Sequence, residues 1–97
     1  MDFLVIAYDG TDEGALERRM KVREEHLTQA RRLKKDGHLV EGGALLSPEG
    51  KMIGSTLYAR FDTAEDLHRY LGNDPYTTGH VWLRTEVYPI KLAKLNE

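Results

Sequence analysis

Hydrophobic residues alternate or cluster in four short stretches, and each stretch is typical of a β-strand. The glycine pair Gly42-Gly43 interrupts the second stretch, which indicates a bulge or a close backbone approach. The first stretch is apolar at both alternating sets of positions, which is typical of a central strand covered on both faces. The predicted strands are residues 3–8, 39–46, 54–61 and 82–88, the last of them stopping at Pro89.

A long helical pattern lies between the first two predicted strands and runs from about Ala15 to Lys35. Thr11 or Asp12 is expected to cap its beginning, because a short side-chain oxygen can accept from the free N–H groups of the first turn. Gly37 is expected to adopt the left-handed conformation that ends a helix. This is the longest element that the pattern predicts.

A second helix and a separate helical turn are predicted in the last third of the chain. Thr63 and Asp66 have the spacing of a capping box, with the shorter acid in place of glutamate. Asp74-Pro75 then repeats a helix start signal, because aspartate is a good N-cap and proline fits the first helical position. The apolar positions of the second helix are Ala64, Leu67, Tyr70 and Leu71.

The predicted order of elements is strand, helix, strand, strand, helix, strand. This is the split β-α-β pattern of the ferredoxin-like fold, an α+β βαββαβ subunit with a four-stranded antiparallel sheet and the helices on one face. The other face of such a sheet is bare, although the first strand is apolar on both sides. Two subunits packed sheet to sheet would cover it, so we expect a homodimer.

Composition narrows the class of protein. A chain of 97 residues predicts one domain, residues 1–97. The 14 basic and 16 acidic residues nearly balance, and no basic run alternates with aromatic residues, so we expect no nucleic-acid partner. The absence of cysteine excludes a thiolate nucleophile and a cysteine-based metal site. No signal peptide or membrane-spanning stretch is present, which predicts a cytoplasmic protein without a membrane partner.

The first helix has polar residues on the side that should face the core. At about 100° per residue, Arg19, Arg23 and His26 fall within the arc of the apolar positions. A purely structural helix would turn them to solvent, so the pattern indicates an apolar surface with a polar pocket. Arg23 and His26 are the pocket candidates, and we expect Arg19 at the rim with its charged end in water. The apolar positions of the arc are Leu16, Met20, Leu27, Ala30 and Leu33.

Four motifs together resemble the YCII-related (YciI-like) family. The similarity spans residues 5–89, and its most specific parts are the Arg-x-x-His pair and Asp-Pro-Tyr. The motifs are Arg23 with His26, Gly42-Gly43, Gly54-Ser55, and Asp74-Pro75-Tyr76 followed by a glycine.

The resemblance implies a ferredoxin-like subunit that forms a dimeric α+β barrel, with His26 and Asp74 as a catalytic dyad. A related protein that acts on a chlorinated hydroxyquinol implies that dehydrochlorination is within the family's reach. In such a dyad His26 transfers a proton near neutral pH, while Asp74 holds the imidazole tautomer and stabilises its cation.

Four other residues complete the predicted site. Arg23, one helical turn from His26, is placed to bind a carboxylate or enolate oxygen of a substrate. Backbone N–H groups near Gly43 or Ser55 could stabilise a developing oxyanion, and Tyr76 could form part of the pocket wall. These groups fit a lyase, isomerase or dehydrohalogenase step on a small oxygenated or aromatic-derived compound. We expect neither a metal nor another cofactor.

Structural interpretations of the same residues stay open at this point. His26 could be a boundary residue with a satisfied hydrogen bond, and Asp74 could serve only as an N-cap worth about 1 kcal/mol. Arg23 could pair with Asp74 or Glu86. A non-catalytic module that binds a small ligand, or a structural dimerisation domain, would have the same sequence features.

Overall fold

The computed structural model describes residues 1–95, in which four strands form one antiparallel sheet. This confirms the predicted ferredoxin-like α+β arrangement. Within residues 1–95 no helix is both long and apolar enough to cross a membrane. The elements are β1 (Asp2–Asp9), α1 (Ala15–Lys35), β2 (Leu39–Leu46), β3 (Met52–Arg60), α2 (Ala64–Asn73), α3 (Pro75–Thr78) and β4 (Trp82–Ile90). The order of the strands in the sheet is β2-β3-β1-β4.

Two helix signals act as predicted. The Thr63 side chain caps α2 by accepting a hydrogen bond from the Asp66 amide at 3.1 Å. Gly37, just after α1, has a φ angle of 84°, which glycine adopts without the steric cost that a Cβ would bring. Local sequence therefore fixes one end of each longer helix, the C-terminus of α1 and the N-terminus of α2.

The predicted cap of α1 is wrong. Gly14 occupies the N-cap position, and no side chain caps the helix. The Asp12 carboxylate instead accepts two hydrogen bonds from the Arg18 guanidinium, at 2.8 and 2.6 Å, and Thr11 caps nothing. Both oxygens of Asp12 are thus bound to Arg18, and neither accepts from the free amides of the first turn of α1.

The final strand extends further than predicted. It continues through Pro89 to Ile90, whereas the sequence pattern predicts that the strand ends at the proline. β4 lies at the edge of the sheet and has only β1 as a neighbour. A proline is tolerated there because the N–H group it lacks would face solvent.

The core lies between the sheet and the helices. Alternating residues of β1, namely Phe3, Val5 and Ala7, are at most 1% exposed and face this layer. Burying such side chains removes apolar surface from water and is the main stabilising term for a domain of this size. The other buried hydrophobic residues are Leu57, Ala59, Phe61, Leu67, Leu71, Tyr76, Val81 and Trp82.

The opposite face of the sheet carries apolar and aromatic side chains at its centre and is only half-buried. Leu4 and Ile6 of β1 lie on it, and Leu4 is opposite Tyr58 of β3 and Tyr88 of β4. Tyr88 is 49% exposed in the single chain. The homodimer that would cover this face stays a prediction, and a mass close to that of one 11.1 kDa chain by light scattering would contradict it.

Candidate functional site

His26 and Asp74 meet in the folded chain although 48 positions separate them in sequence. Nδ1 of His26 lies 2.8 Å from Oδ1 of Asp74. A carboxylate can only accept, so Nδ1 carries the hydrogen of this bond. Asp74 is fully buried, whereas His26 retains 7% exposure and lines a cavity. No residue of the described range 1–95 forms a hydrogen bond with the other ring nitrogen, Nε2.

The Asp74 carboxylate is held by three donors. Asp74 is the N-cap of α3, as predicted, and its Oδ1 accepts from the Tyr76 amide at 2.8 Å as well as from His26. Its Oδ2 accepts from the Tyr70 hydroxyl at 2.8 Å. Because both oxygens are engaged from fixed directions, the carboxylate has one orientation and imposes it on the imidazole ring.

The Tyr76 ring forms the wall against which His26 rests. The two rings are stacked, with centroids 3.8 Å apart and planes inclined by 13°. Cζ of Arg19 lies over the same tyrosine ring, 4.7 Å from its centroid, and Trp82 meets the His26 ring edge-on at 5.8 Å. Burial raises the pKa of Tyr76, although the charges of Arg19 and Arg23 oppose this shift. Because its ring is stacked on Tyr76 and meets the edge of Trp82, the imidazole of His26 has little rotational freedom.

The prediction that Arg19 lies at the rim is wrong. Arg19 is 3% exposed, and its Nη1 lies 3.1 and 3.0 Å from the two carboxylate oxygens of Asp9. Its Nη2 donates to Oγ of Ser55 at 3.2 Å, and Trp82 Nε1 donates to the same oxygen at 3.2 Å. Burial raises the pKa of Asp9, while Arg19 opposes the shift. An arginine becomes an interior residue when a buried carboxylate is present to pair with it.

A cavity of about 290 Å³ lies between α1 and the strands β2 and β3. Five of the six predicted site residues line it, namely Arg23, His26, Gly43, Ser55 and Tyr76, and Asp74 lies behind His26. Within residues 1–95 no group of three or more His, Cys, Asp or Glu side chains is arranged to hold a metal ion. The apolar part of the lining is Leu27, Ala30, Leu39, Ala44, Met52 and Leu57.

Arg23 lines this cavity without an ion-pair partner in residues 1–95. The two acids considered as its partners have other contacts: Asp74 binds His26, and Glu86 pairs with Arg84. The guanidinium of Arg23 is half-buried, one turn from His26. It is therefore placed to meet an anionic group of a ligand.

The backbone donors proposed at two positions differ in their surroundings. Gly43 lies in the edge strand β2, and nothing is within 4 Å of the place where its Cβ would be. Ser55 lies in β3, which is paired on both sides, so its backbone groups belong to the sheet and its hydroxyl is the group available to a ligand. An oxyanion role for either residue stays a prediction.

Three residues of the site were missed by sequence reasoning, and two of them had a usable signal. Asp9 shares the alternation of Phe3, Val5 and Ala7, which points it into the core. Tyr70 precedes Asp74 by four positions, the spacing at which side chains of one helical face meet. Trp82 had no such signal, because its contact with Ser55 depends on how two distant strands lie in the sheet.

Tyr70→Phe is expected to reduce the loss of stability at alkaline pH. Burial, and then the charge and hydrogen bond of Asp74, raise the pKa of Tyr70 far above its usual value. The folded chain therefore keeps a phenol proton that the unfolded chain releases near pH 10. The stabilisation of the folded chain by this proton is complete below about pH 10 and is lost progressively above it. Above about pH 10, the free energy of unfolding of wild type should fall by about 1.4 kcal/mol more per pH unit than that of the variant.

Urea unfolding between about pH 9 and pH 11 measures this slope. Thr63→Ala is the control, because it removes the cap of α2 without removing a titratable group, so its slope should equal that of wild type. Equal slopes for wild type and Tyr70→Phe would show that the Tyr70 proton does not contribute.

Comparison with known protein families and curated proteins gives one consistent relationship. The model of the YCII-related domain matches residues 1–91. Protein YciI of Escherichia coli O6:H1 is 29% identical over 97 residues, which cover 94% of this chain and 97% of that protein. A protein of Haemophilus influenzae is 28% identical over the same shares of the two chains.

Two solved structures resemble the fold. The 5-chloro-2-hydroxyhydroquinone dehydrochlorinase TftG of Burkholderia phenoliruptrix, in complex with 2,5-dihydroxybenzoquinone, superposes with a TM-score of 0.86 over 100% of both chains at 27% identity. A protein of Agrobacterium tumefaciens has a TM-score of 0.52 at 19% identity, covering 98% of this chain and 96% of that one, and supports the fold alone. Because the domain model matches residues 1–91, this chain belongs to the YCII-related family.

Proposed function

We propose that this protein is a small-molecule enzyme in which His26 moves a proton and Asp74 orients the imidazole and stabilises its cation. The observation that carries the proposal is the 2.8 Å hydrogen bond between the two residues at the wall of the cavity. With Nδ1 held by Asp74, Nε2 is the nitrogen that can take a proton from a ligand. A general base positioned in this way typically contributes about 10²–10⁴-fold to the rate.

The reaction class that fits these groups is an elimination or isomerisation on a small oxygenated or aromatic-derived compound. In an elimination, His26 takes a proton from a substrate O–H or C–H group, and the electron pair moves towards a leaving group, which departs as an anion. A dehydrochlorination of this kind loses one proton and one chloride and needs no oxidant. The structural likeness to a dehydrochlorinase that binds a quinone supports this class.

The surroundings of the dyad supply groups for a substrate of this type. The Arg23 guanidinium, which has no ion-pair partner in residues 1–95, is placed to pair with an oxyanion or carboxylate, and the Ser55 hydroxyl can add a hydrogen bond. The apolar part of the lining limits the contact of a bound substrate with water, which strengthens these electrostatic contacts.

A non-catalytic module that binds a small ligand is the second candidate. The observation in its favour is that Asp74 has a complete structural role, since it caps α3 and accepts from Tyr70 as well as His26. A dyad that only stabilises the fold would leave the cavity as a binding site without chemistry.

The experiment compares wild type with His26→Ala on chlorinated hydroxyquinols, enol-lactones and small keto acids. Chloride release and proton NMR report turnover, and the melting temperature reports binding of 2,5-dihydroxybenzoquinone. We expect wild type to turn over one of these classes and His26→Ala to be slower by about 10²–10⁴-fold. His68→Ala is the control, because His68 is exposed on α2 and outside the cavity.

Two results would argue against catalysis. One is a His26→Ala variant that keeps the wild-type rate. The other is a wild-type protein that turns over none of the compounds while a ligand raises its melting temperature in a way that depends on His26, which would favour the binding module.

A further inference from the structure

The lining of the cavity carries an excess of positive charge. The charge of Arg19 is balanced by Asp9, at 3.0 Å. Arg23 and Arg31 also line the cavity, and neither has an ion-pair partner in residues 1–95. Within the described part of the chain, the cavity therefore contains two guanidinium groups that no carboxylate neutralises.

Lys34 and Glu41 do not change this balance. They are the remaining charged residues of the lining, and their charged atoms lie 3.9 Å apart. Lys34 also donates to the carbonyl oxygen of Val40 at 2.9 Å. The two opposite charges offset each other, so the excess positive charge belongs to Arg23 and Arg31.

The two arginines lie at different levels of the cavity wall that α1 forms. They are eight residues apart on α1, which corresponds to about 12 Å along the helix axis. Arg23 is half-buried and one turn from His26, whereas Arg31 is exposed. Leu27 and Ala30 line the wall between them. On the α1 wall, the cavity is positive at its inner, half-buried level at Arg23, apolar in the middle, and positive again at its outer, exposed level at Arg31.

We propose that the cavity binds a dianionic ligand with an apolar body, in which Arg23 holds the inner acidic or enolate group and Arg31 holds an outer carboxylate. A dianion with an apolar body is thus the substrate class of the proposed acid–base site. The inference rests on the proposed function only for the chemistry at His26. A volume of about 290 Å³ limits the ligand to a small molecule. The outer carboxylate makes Arg31 a specificity residue.

The test measures binding of adipate and suberate against hexanoate and octanoate, which have the same chain lengths with one carboxylate. Amide NMR shifts report the affinity of each acid. We expect wild type to bind each diacid about 1.5- to fivefold more tightly than its matched monoacid, the range for an exposed charge pair. Arg31→Gln should remove this preference for diacids, and Arg23→Gln should weaken the binding of diacids and monoacids alike.

Arg32→Gln is the matched control. It removes the same charge from the neighbouring position, but Arg32 lies on another side of α1, beside Glu24 and Thr28, and does not line the cavity. The preference for diacids should survive this change.

Three outcomes would overturn the proposal: equal affinity of wild type for diacids and monoacids, equal loss in the Arg31 and Arg32 variants, or no saturable binding of any of the acids. These acids do not react, so their binding requires no turnover. Failure of this test therefore leaves the acid–base proposal standing, and a His26→Ala variant with full turnover would leave the diacid preference standing.

Discussion

Arg19→Met should lower the free energy of unfolding by about 3–5 kcal/mol, the typical cost of removing one partner from a buried ion pair. The methionine fills much of the same space but leaves the Asp9 carboxylate in the interior without its guanidinium. It also removes the hydrogen bond to Ser55 and the contact with the Tyr76 ring. Urea denaturation at neutral pH measures the effect.

Arg18→Met is the matched control at the adjacent position. Arg18 pairs with Asp12 at 2.6 Å, but the two side chains are 35% and 58% exposed. Water screens such a pair, so its loss should lower the free energy of unfolding far less than the loss of the Arg19 pair. Equal destabilisation by the two substitutions would contradict the assignment of Arg19 to a buried ion pair.

The double variant Arg19→Met with Asp9→Leu keeps the prediction testable if the single variant does not fold. Removing both charges takes away the unpaired carboxylate as well as its partner, and replacing buried ion pairs by apolar residues is often close to neutral. We therefore expect the double variant to be more stable than Arg19→Met alone. A further loss of stability would show that the Asp9 carboxylate has another essential partner.

Asp74→Asn should reduce turnover by about 10²–10⁴-fold while changing the stability little. The asparagine carbonyl can still accept from the Tyr76 amide and from His26, and its NH2 group can donate to the Tyr70 hydroxyl oxygen, so the N-cap and the orientation of the imidazole remain. The negative charge that stabilises an imidazolium is lost. Steady-state kinetics on the substrate identified with wild type, together with urea denaturation, separate the two roles.

Asp74→Ala should affect both properties. It removes the N-cap, worth about 1 kcal/mol, and leaves the buried donors of His26 and Tyr70 without their acceptor, so the loss of stability should be about 2–5 kcal/mol. Thr63→Ala is the control, because it removes the cap of α2 outside the cavity and should lower stability but not turnover. An Asp74→Asn variant with the wild-type rate would exclude the carboxylate charge from the mechanism.

The sequence predicts most of the scaffold, because each element depends on local signals. The order of strands and helices follows from alternation and helical periodicity, and the caps at Thr63 and Asp74 are local hydrogen bonds. The contact between His26 and Asp74 joins distant parts of the chain, and its prediction rests on two family motifs, Arg-x-x-His and Asp-Pro-Tyr, rather than on local signals.

The position of Arg19 could not be predicted in the same way, because it depends on a partner in another element. Helical periodicity placed it on the core face, but an unpaired charge in the interior is so costly that solvent was the better expectation. Only the packing of α1 on β1 shows that Asp9 lies within reach. The cavity volume likewise depends on how side chains of separate elements pack, which no local pattern contains.

Pro89 has a consequence for behaviour at high protein concentration. It lies in β4, at one edge of the sheet, and offers no N–H group to a further strand. Exposed strand edges are the usual starting points for strand-by-strand growth of aggregates, and proline is one of the residues that interrupt such growth. This edge is therefore protected against fibril formation by the same residue that the sequence pattern took as the end of the strand.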